Sequence, residues 1–298
     1  MDESKYSDSF RTFRLNHSEE NNFGPKRLGE AVRAVRQAVS GKLTTPDGRR
    51  RGLRLLVVGP AHGYLLEDTL SEVGNEVSFE RMDCVEPNEV LARELETRMN
   101  TLASKYGFES NVHTRKFTYE EAPTFLPNDF YDLIIFSHVL YFLDDPAECL
   151  EVSLCKLANE CGRVFLSSTK NEQCFKMCQE IQALAGFSST PYVHIDIDEI
   201  LRARAAKITL VSRSTDEAAI LMHLALKPAR LCINEQDAAI RKMSDEVPTF
   251  IAGRDLDTLL ETSRAQVQDI IRKYVVYSYG FPMLPMTLEK FILARNVR

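Results

Sequence analysis

The chain has 298 residues, 44% hydrophobic and 27% charged, with a net charge of -6. A chain of that size accommodates one α/β domain plus a smaller elaboration around a large core. The acidic balance without a long basic run excludes a nucleic-acid binder's electrostatic footprint, and no apolar run approaches membrane-spanning length. With no signal peptide visible, the expected setting is cytoplasmic, with reduced thiols. The seven cysteines make neither a C-x-x-C nor a cysteine–histidine metal spacing, so no metal is expected. Cys174 and Cys178, one helical turn apart, read as buried free thiols.

In chain order, Tyr6, Phe10, Phe13, His17 and Glu20 recur at intervals of four and three, so a helix places them on one face. Two readings stay open. Either a capping helix buries its rings against a sheet, or an aromatic-walled lid covers a ligand crevice and offers Glu20 to a cationic group. A second helix follows, with Pro25 at its first position, Leu28, Ala31, Val32, Val35 and Val39 as its apolar face, and Gly41 closing it. Arg49, Arg50 and Arg51 read as a solvated loop.

The stretch LRLLVVGPAHGYLLED reads as a buried strand, a small-residue turn and a helix; MDCVEPNEV then gives a second buried strand ending in Glu86. In a doubly wound sheet ligands sit outside the strand ends, where an acid accepts hydrogen bonds from ribose hydroxyls. The turn places Tyr64 where a dinucleotide fingerprint needs its third glycine, and no G-K-[ST] follows for a P-loop. A ribose without phosphates fits this spacing, and S-adenosylmethionine is the common ligand of that kind. The other reading of the same residues is an ordinary tight turn with a solvated Glu86. His62 is expected to pack or face solvent.

NVHTRKFT reads as a third strand, FYDLIIFSHVLYF as a fourth and GRVFLSST as a fifth, each flanked by amphipathic helical stretches. After Asp145 and Pro146 a helix, AECLEVSLCKLANE, is expected to stop at Cys161 and Gly162. Asp196 with Glu199 reads as a helix cap, and neither His113 nor His194 receives a role. KITLVSRS and EKFILARNV are the expected sixth and seventh strands, the last antiparallel. Between them EAAILMHLAL, NEQDAAIRKMS and DLDTLLETSRAQVQDIIRKYVVYSY read as helices, with Tyr274, Tyr277, Tyr279 and Phe281 in core or pocket. This pattern resembles a class I S-adenosylmethionine-dependent methyltransferase. The fold expected is α/β, a seven-stranded, mostly parallel Rossmann-like sheet with helices on both faces and a small helical substrate lobe. The expected divisions are a lid at 1–50, a cofactor-binding core at 51–214, a helical insertion at 215–284 and the last core strand at 285–298.

KYSDSFRTFRLNHSEE closely resembles the opening of histamine N-methyltransferase, and the resemblance continues through VVGPAHG, CVEP and Val139-Leu140-Tyr141-Phe142. The resemblance implies that Glu20 grips the substrate while Tyr6, Phe10, Tyr141 and Phe142 line the pocket, with Phe13 on the same helix face. It implies cofactor contacts at Gly59 and Glu86, with Thr118 near the adenine and Ser137 beside the cofactor. Pro60, Ala61, Gly63 and Pro87 complete the expected cofactor set. Departures from that family are His138 where it has a glutamine, Met286 where it has an asparagine, and the absence of tryptophan. Such changes alter which acceptor a site admits. The expected activity is methyl transfer to a nitrogen of an imidazole or biogenic-amine molecule by a monomeric enzyme. Transfer to oxygen of a carboxylate or phenol, and cofactor binding without catalysis, remain alternatives. His138 is expected to anchor substrate and accept a proton, or else simply to bond backbone at a strand end.

Overall fold

Runs buried on both faces mark the centre of the sheet. In the computed structural model β1 (Leu53–Val58) and β4 (Leu133–Ser137) are almost continuously buried, the signature of parallel strands covered on both sides. The structure describes residues 11, 24–43, 51–114, 119, 125–158, 160–170, 172–186, 195–221, 257–278 and 281–296. Tyr6, Phe10, Phe13, His17, Glu20, Thr118, His194, Tyr279 and the NEQDAAIRKMS segment lie outside the described residues.

The remaining strands are β2 (Phe79–Glu86), β3 (Glu109–Thr114), β5 (Arg163–Thr169), β6 (Ile208–Leu221), β7 (Val276–Ser278) and β8 (Phe281–Arg295). The helices are α1 (Gly24–Val39), α2 (Tyr64–Val73), α3 (Glu89–Tyr106), α4 (Pro146–Lys156), α5 (Glu172–Leu184), α6 (Ile197–Ala203) and α7 (Asp257–Tyr274). The strand order is β3-β2-β1-β4-β5-β8-β6, with short β7 pairing β8. Neighbours from β3 through β5 are parallel. Asn296, just after β8, donates to the carbonyl of Lys207, just before β6, so β8 runs antiparallel to β6. Seven strands lie on the main path, as expected, and β7 is the addition.

Period-two alternation sends Leu55 and Val57 to one core with Leu28, Val32, Leu95 and Met99. It sends Leu56 and Val58 to the other, with Ile134, Phe136, Leu150 and Leu154. Each fully buried side chain of this kind stabilises the fold by about 1.5–3 kcal/mol. Helix α1, expected to belong to a lid, instead buries its apolar stripe in the first core. Asp132, wholly buried at the start of β4, accepts two hydrogen bonds from Arg51, at 2.6 and 2.9 Å, and one from the Arg54 amide at 3.0 Å. Arg51 is therefore not a solvated loop residue; its carboxylate partner holds its pKa above the ordinary arginine value.

The described residues divide into two compact units. One carries α1–α4, α6, the parallel strands and the neighbouring parts of β6 and β8. The other carries α5, α7, β7 and the rest of β6 and β8, around a core of Met177, Cys178, Ile181, Val267, Ile271 and Met286. In this unit Glu180 accepts from Lys273 at 2.7 Å and from Tyr274 at 2.5 Å. Those two bonds lower the carboxyl pKa, Lys273 first, and the Tyr274 phenol is pushed up to about 12 by the same carboxylate.

Several expected boundaries are corrected. The EAAIL segment continues β6 rather than forming a helix, because the fifteen-residue β8 beside it extends the ladder, and pairing overrides local propensity. The last helix stops at Tyr274, and Val276–Ser278 form β7 against β8. Strand β8 begins at Phe281, before 285, despite Pro282 and Pro285. Helix α4 ends at Lys156 rather than at Gly162, because Leu157 is drawn into a bridge with Tyr131. The cap at Asp196 is as expected, accepting from the Glu199 amide at 3.0 Å. Among the described helices none is long and apolar enough to cross a membrane.

Candidate functional site

The turn leaving β1 requires its two glycines. Gly59 has φ +62° and Gly63 φ +77°, both in the left-handed region. A Cβ on Gly59 would lie 2.5 Å from Val139 Cγ2, and one on Gly63 would lie 2.6 Å from Leu95 Cδ1. Ala61 is also left-handed, at +50°. The Gly59 amide donates to Val85 O at 2.8 Å and the Gly63 amide to Pro60 O at 2.9 Å, so the turn is tied to β2 and closed on itself before α2 begins.

Glu86 ends β2 with 5% of its surface exposed. Its Oε2 accepts from the Ala61 amide at 2.9 Å and its Oε1 from the Asn88 amide at 3.1 Å. The reading of a solvated Glu86 is thereby overturned: the carboxylate joins the β1 turn to the β2 exit. Asn88 then caps α3, accepting from the Leu91 amide at 3.0 Å. Pro60 and Ala61 are half-buried and Pro87 is exposed.

The exit of β4 lies against the same turn through Val139. Ser137, half-buried, is in register with Ser167 of β5. His138 follows with φ +54°, a left-handed backbone that costs a residue with a side chain about 1–3 kcal/mol and clusters at functional sites. Its amide donates to Ser167 O at 3.0 Å, and its Nε2 lies 3.4 Å from Ser167 Oγ, on a side chain only 2% exposed. The ring contact is thus to a side chain, and the backbone bond is made by the main-chain amide. A single 3-10 turn, Leu140–Phe142, then presents Tyr141 and Phe142 with ring centroids 4.7 Å apart; Phe142 is 45% exposed.

The structure thus brings Gly59, Ala61, Glu86, Val139 and His138 to the carboxyl ends of adjacent strands. Met286 lies in the apolar core of the other unit. His113, on β3, lies 3.9 Å from Asp83 and 5.0 Å from the Phe125 ring; burial pushes its imidazole below the ordinary value, Asp83 opposing and Arg81 adding. His62 is completely buried, settling that it packs rather than faces solvent. Sequence reasoning missed Val139 as the floor under Gly59 and Ser167 as the partner of His138, since both relations run between strands distant in the chain. Among the described residues no group of side chains could hold a metal ion.

No protein-family model matches the chain, and no curated protein matches it. Among solved structures it is similar to an S-adenosylmethionine-dependent methyltransferase from Geobacter sulfurreducens in complex with S-adenosyl-L-homocysteine. That match has 13% identity and a TM-score of 0.50, over 93% of this chain and 92% of that one. A corresponding enzyme from Thiobacillus denitrificans, also with S-adenosyl-L-homocysteine, shares 12% identity over 96% and 98%, with a TM-score of 0.48. A putative sarcosine dimethylglycine methyltransferase from Galdieria sulphuraria shares 14% over 90% and 85%, also at 0.48. The Geobacter likeness speaks for architecture: the chain has the Rossmann-like fold of S-adenosylmethionine-dependent methyltransferases.

Proposed function

We propose that the chain is an S-adenosylmethionine-dependent methyltransferase that methylates a nitrogen of a small imidazole- or amine-type molecule. The observation carrying the cofactor half is Glu86, a buried carboxylate that closes β2 and links the two strand exits, the place where sheets of this kind receive a ribose. The residues present fit that group. Gly59 and Gly63 let the turn take its left-handed backbone and close against Val139 and Leu95, and the Ala61 amide fixes Glu86 in place. When bound, S-adenosylmethionine supplies an electrophilic methyl group on a sulfonium.

What remains for the chain is to hold an acceptor in line and manage its proton. Alignment of this kind is worth about 7–11 kcal/mol of barrier. The nitrogen must present a lone pair, yet an aliphatic amine near a pKa of about 10.4 is almost wholly charged at neutral pH. A neutral imidazole nitrogen, with its value near 6.5, escapes that cost, which favours an imidazole acceptor. His138, half-buried at the β4 exit, is the residue assigned to anchor the acceptor and take its proton. Tyr141 and Phe142 supply an aromatic wall. The N-terminal motif supports the nitrogen specificity: its resemblance to histamine N-methyltransferase gives Glu20 a remote cationic or donor group of the substrate, under a lid formed with Tyr6, Phe10 and Phe13.

The test is product analysis by mass spectrometry after incubation with S-adenosylmethionine and three acceptor sets: imidazole-containing amines, aliphatic amines, and carboxylic acids with phenols. Methylation of an imidazole nitrogen, reduced about 100-fold by His138→Ala, is the expected result. Methyl esters or ethers as products would transfer the reading to oxygen, and no product with any acceptor would remove it.

A further inference from the structure

The cofactor turn is gripped by α3. Three side chains of α3 face it. Leu95 fills the space where a Cβ on Gly63 would stand, 2.6 Å away. Arg98 donates from Nε to the carbonyl of His62 at 2.8 Å, pairs with Glu67 of α2, and lays its guanidinium 3.8 Å from the Tyr64 ring centroid. Glu94 places Oε2 2.9 Å from Nδ1 of the His62 ring, itself 0% exposed. One turn residue is therefore hydrogen-bonded at its backbone carbonyl and has a carboxylate beside its ring. The same helix begins at Asn88, whose amide bonds Glu86, so α3 spans from the acid at the β2 exit back to the turn that acid also holds.

We infer that α3 is a clamp that pre-sets the cofactor turn, with Arg98 as the positioning residue acting through the His62 carbonyl and Leu95 packed under Gly63. The inference rests on the cofactor reading given above. It follows from the backbone the turn adopts: three left-handed residues in five, at 59, 61 and 63, one of them carrying a Cβ, are held only while their surroundings over-determine them. Loosening the clamp lets the turn leave that conformation, and apparent affinity falls by the fraction that remains competent.

The experiment uses the full chain with Arg98→Met, Arg98→Lys and Glu67→Gln. Two readouts are taken: hydrogen exchange of the amides at 59–66 without ligand, and the Kd for S-adenosylhomocysteine by calorimetry. Lysine keeps the charge facing Glu67 but cannot reproduce the planar donor and stack, so both Arg98 variants should exchange faster across 59–66. Both should also bind at least about tenfold more weakly, a loss of about 1.4 kcal/mol, while Glu67→Gln stays within about threefold of wild type. Unchanged exchange in Arg98→Met overturns the clamp, as does a Kd equal to that of wild type. So does Arg98→Lys behaving as wild type, which would reduce the residue to a surface charge. A wild-type chain that binds no S-adenosylhomocysteine refutes the cofactor reading instead, and the exchange measurement still decides whether α3 sets the turn.

Discussion

Replacing Gly59 with alanine tests the construction of the site in one atom. The new Cβ meets two costs. A left-handed backbone at φ +62° costs a residue with a side chain about 1–2 kcal/mol. Overlap with Val139 Cγ2 at 2.5 Å and Cβ at 3.2 Å adds overpacking of about 1–3 kcal/mol. Gly59→Ala should therefore lower the unfolding free energy by about 3 kcal/mol. The costs separate experimentally. Gly107 is left-handed too, at φ +72°, but a Cβ there meets nothing within 4 Å, so Gly107→Ala isolates the backbone share. Val139→Ala in the Gly59→Ala background removes the Cγ2 overlap, leaving only the Cβ contact at 3.2 Å, and returns most of the packing share, giving a coupling of about 1–3 kcal/mol in a double-mutant cycle. Urea denaturation followed by circular dichroism reads all five proteins, wild type, Gly59→Ala, Gly107→Ala, Val139→Ala and the double variant, with the two compact units fitted separately if the transition is not single. Additive effects at 59 and 139, or a Gly59→Ala loss under about 0.5 kcal/mol, would show that the turn and the β4 exit do not meet as described.

Two further outcomes follow from individual residues. His138→Gly relieves the left-handed strain, so stability should hold or rise by about 1 kcal/mol while methyl transfer falls about 100-fold or more; a joint loss of stability and turnover would make His138 structural. His113 has a depressed folded value, so the unfolded chain takes up the proton first; its contribution is present above about pH 6.5 and is lost as pH falls below. His113→Gln should flatten the fall in Tm between about pH 7 and about pH 5, and an unchanged slope argues against that role.

What was legible follows from how local the cause is. The buried runs of β1 and β4 are readable because both faces are covered and the residues are apolar in sequence. Glu86 is readable because an acid ending such a run has few structural reasons to be there. Asp196 acts within one helical turn, and it marks its helix where the sequence puts it. The misreadings share the opposite character. EAAIL is a good helix segment until β8 lies beside it. Pro282 and Pro285 disguise the start of β8, which β7 pairs from one side, Tyr277 opposite Pro282. Arg51 looks like one of three loop arginines, and only the folded chain brings Asp132 to it across 81 positions. The strained backbone of His138 leaves no trace in residue type, although histidine tolerates that region better than most residues.

The most direct measurement of the central claim is calorimetric binding of S-adenosylhomocysteine to the wild-type chain and to Glu86→Gln. The amide keeps the shape of the carboxylate but removes its charge and half its accepting capacity. Charge-assisted hydrogen bonds of about 1.5–3 kcal/mol translate to an affinity loss of about 10–100-fold. Saturable binding to the wild type with that loss in the variant is the predicted result. Equal affinity for the two proteins, or no binding to either, would contradict the account.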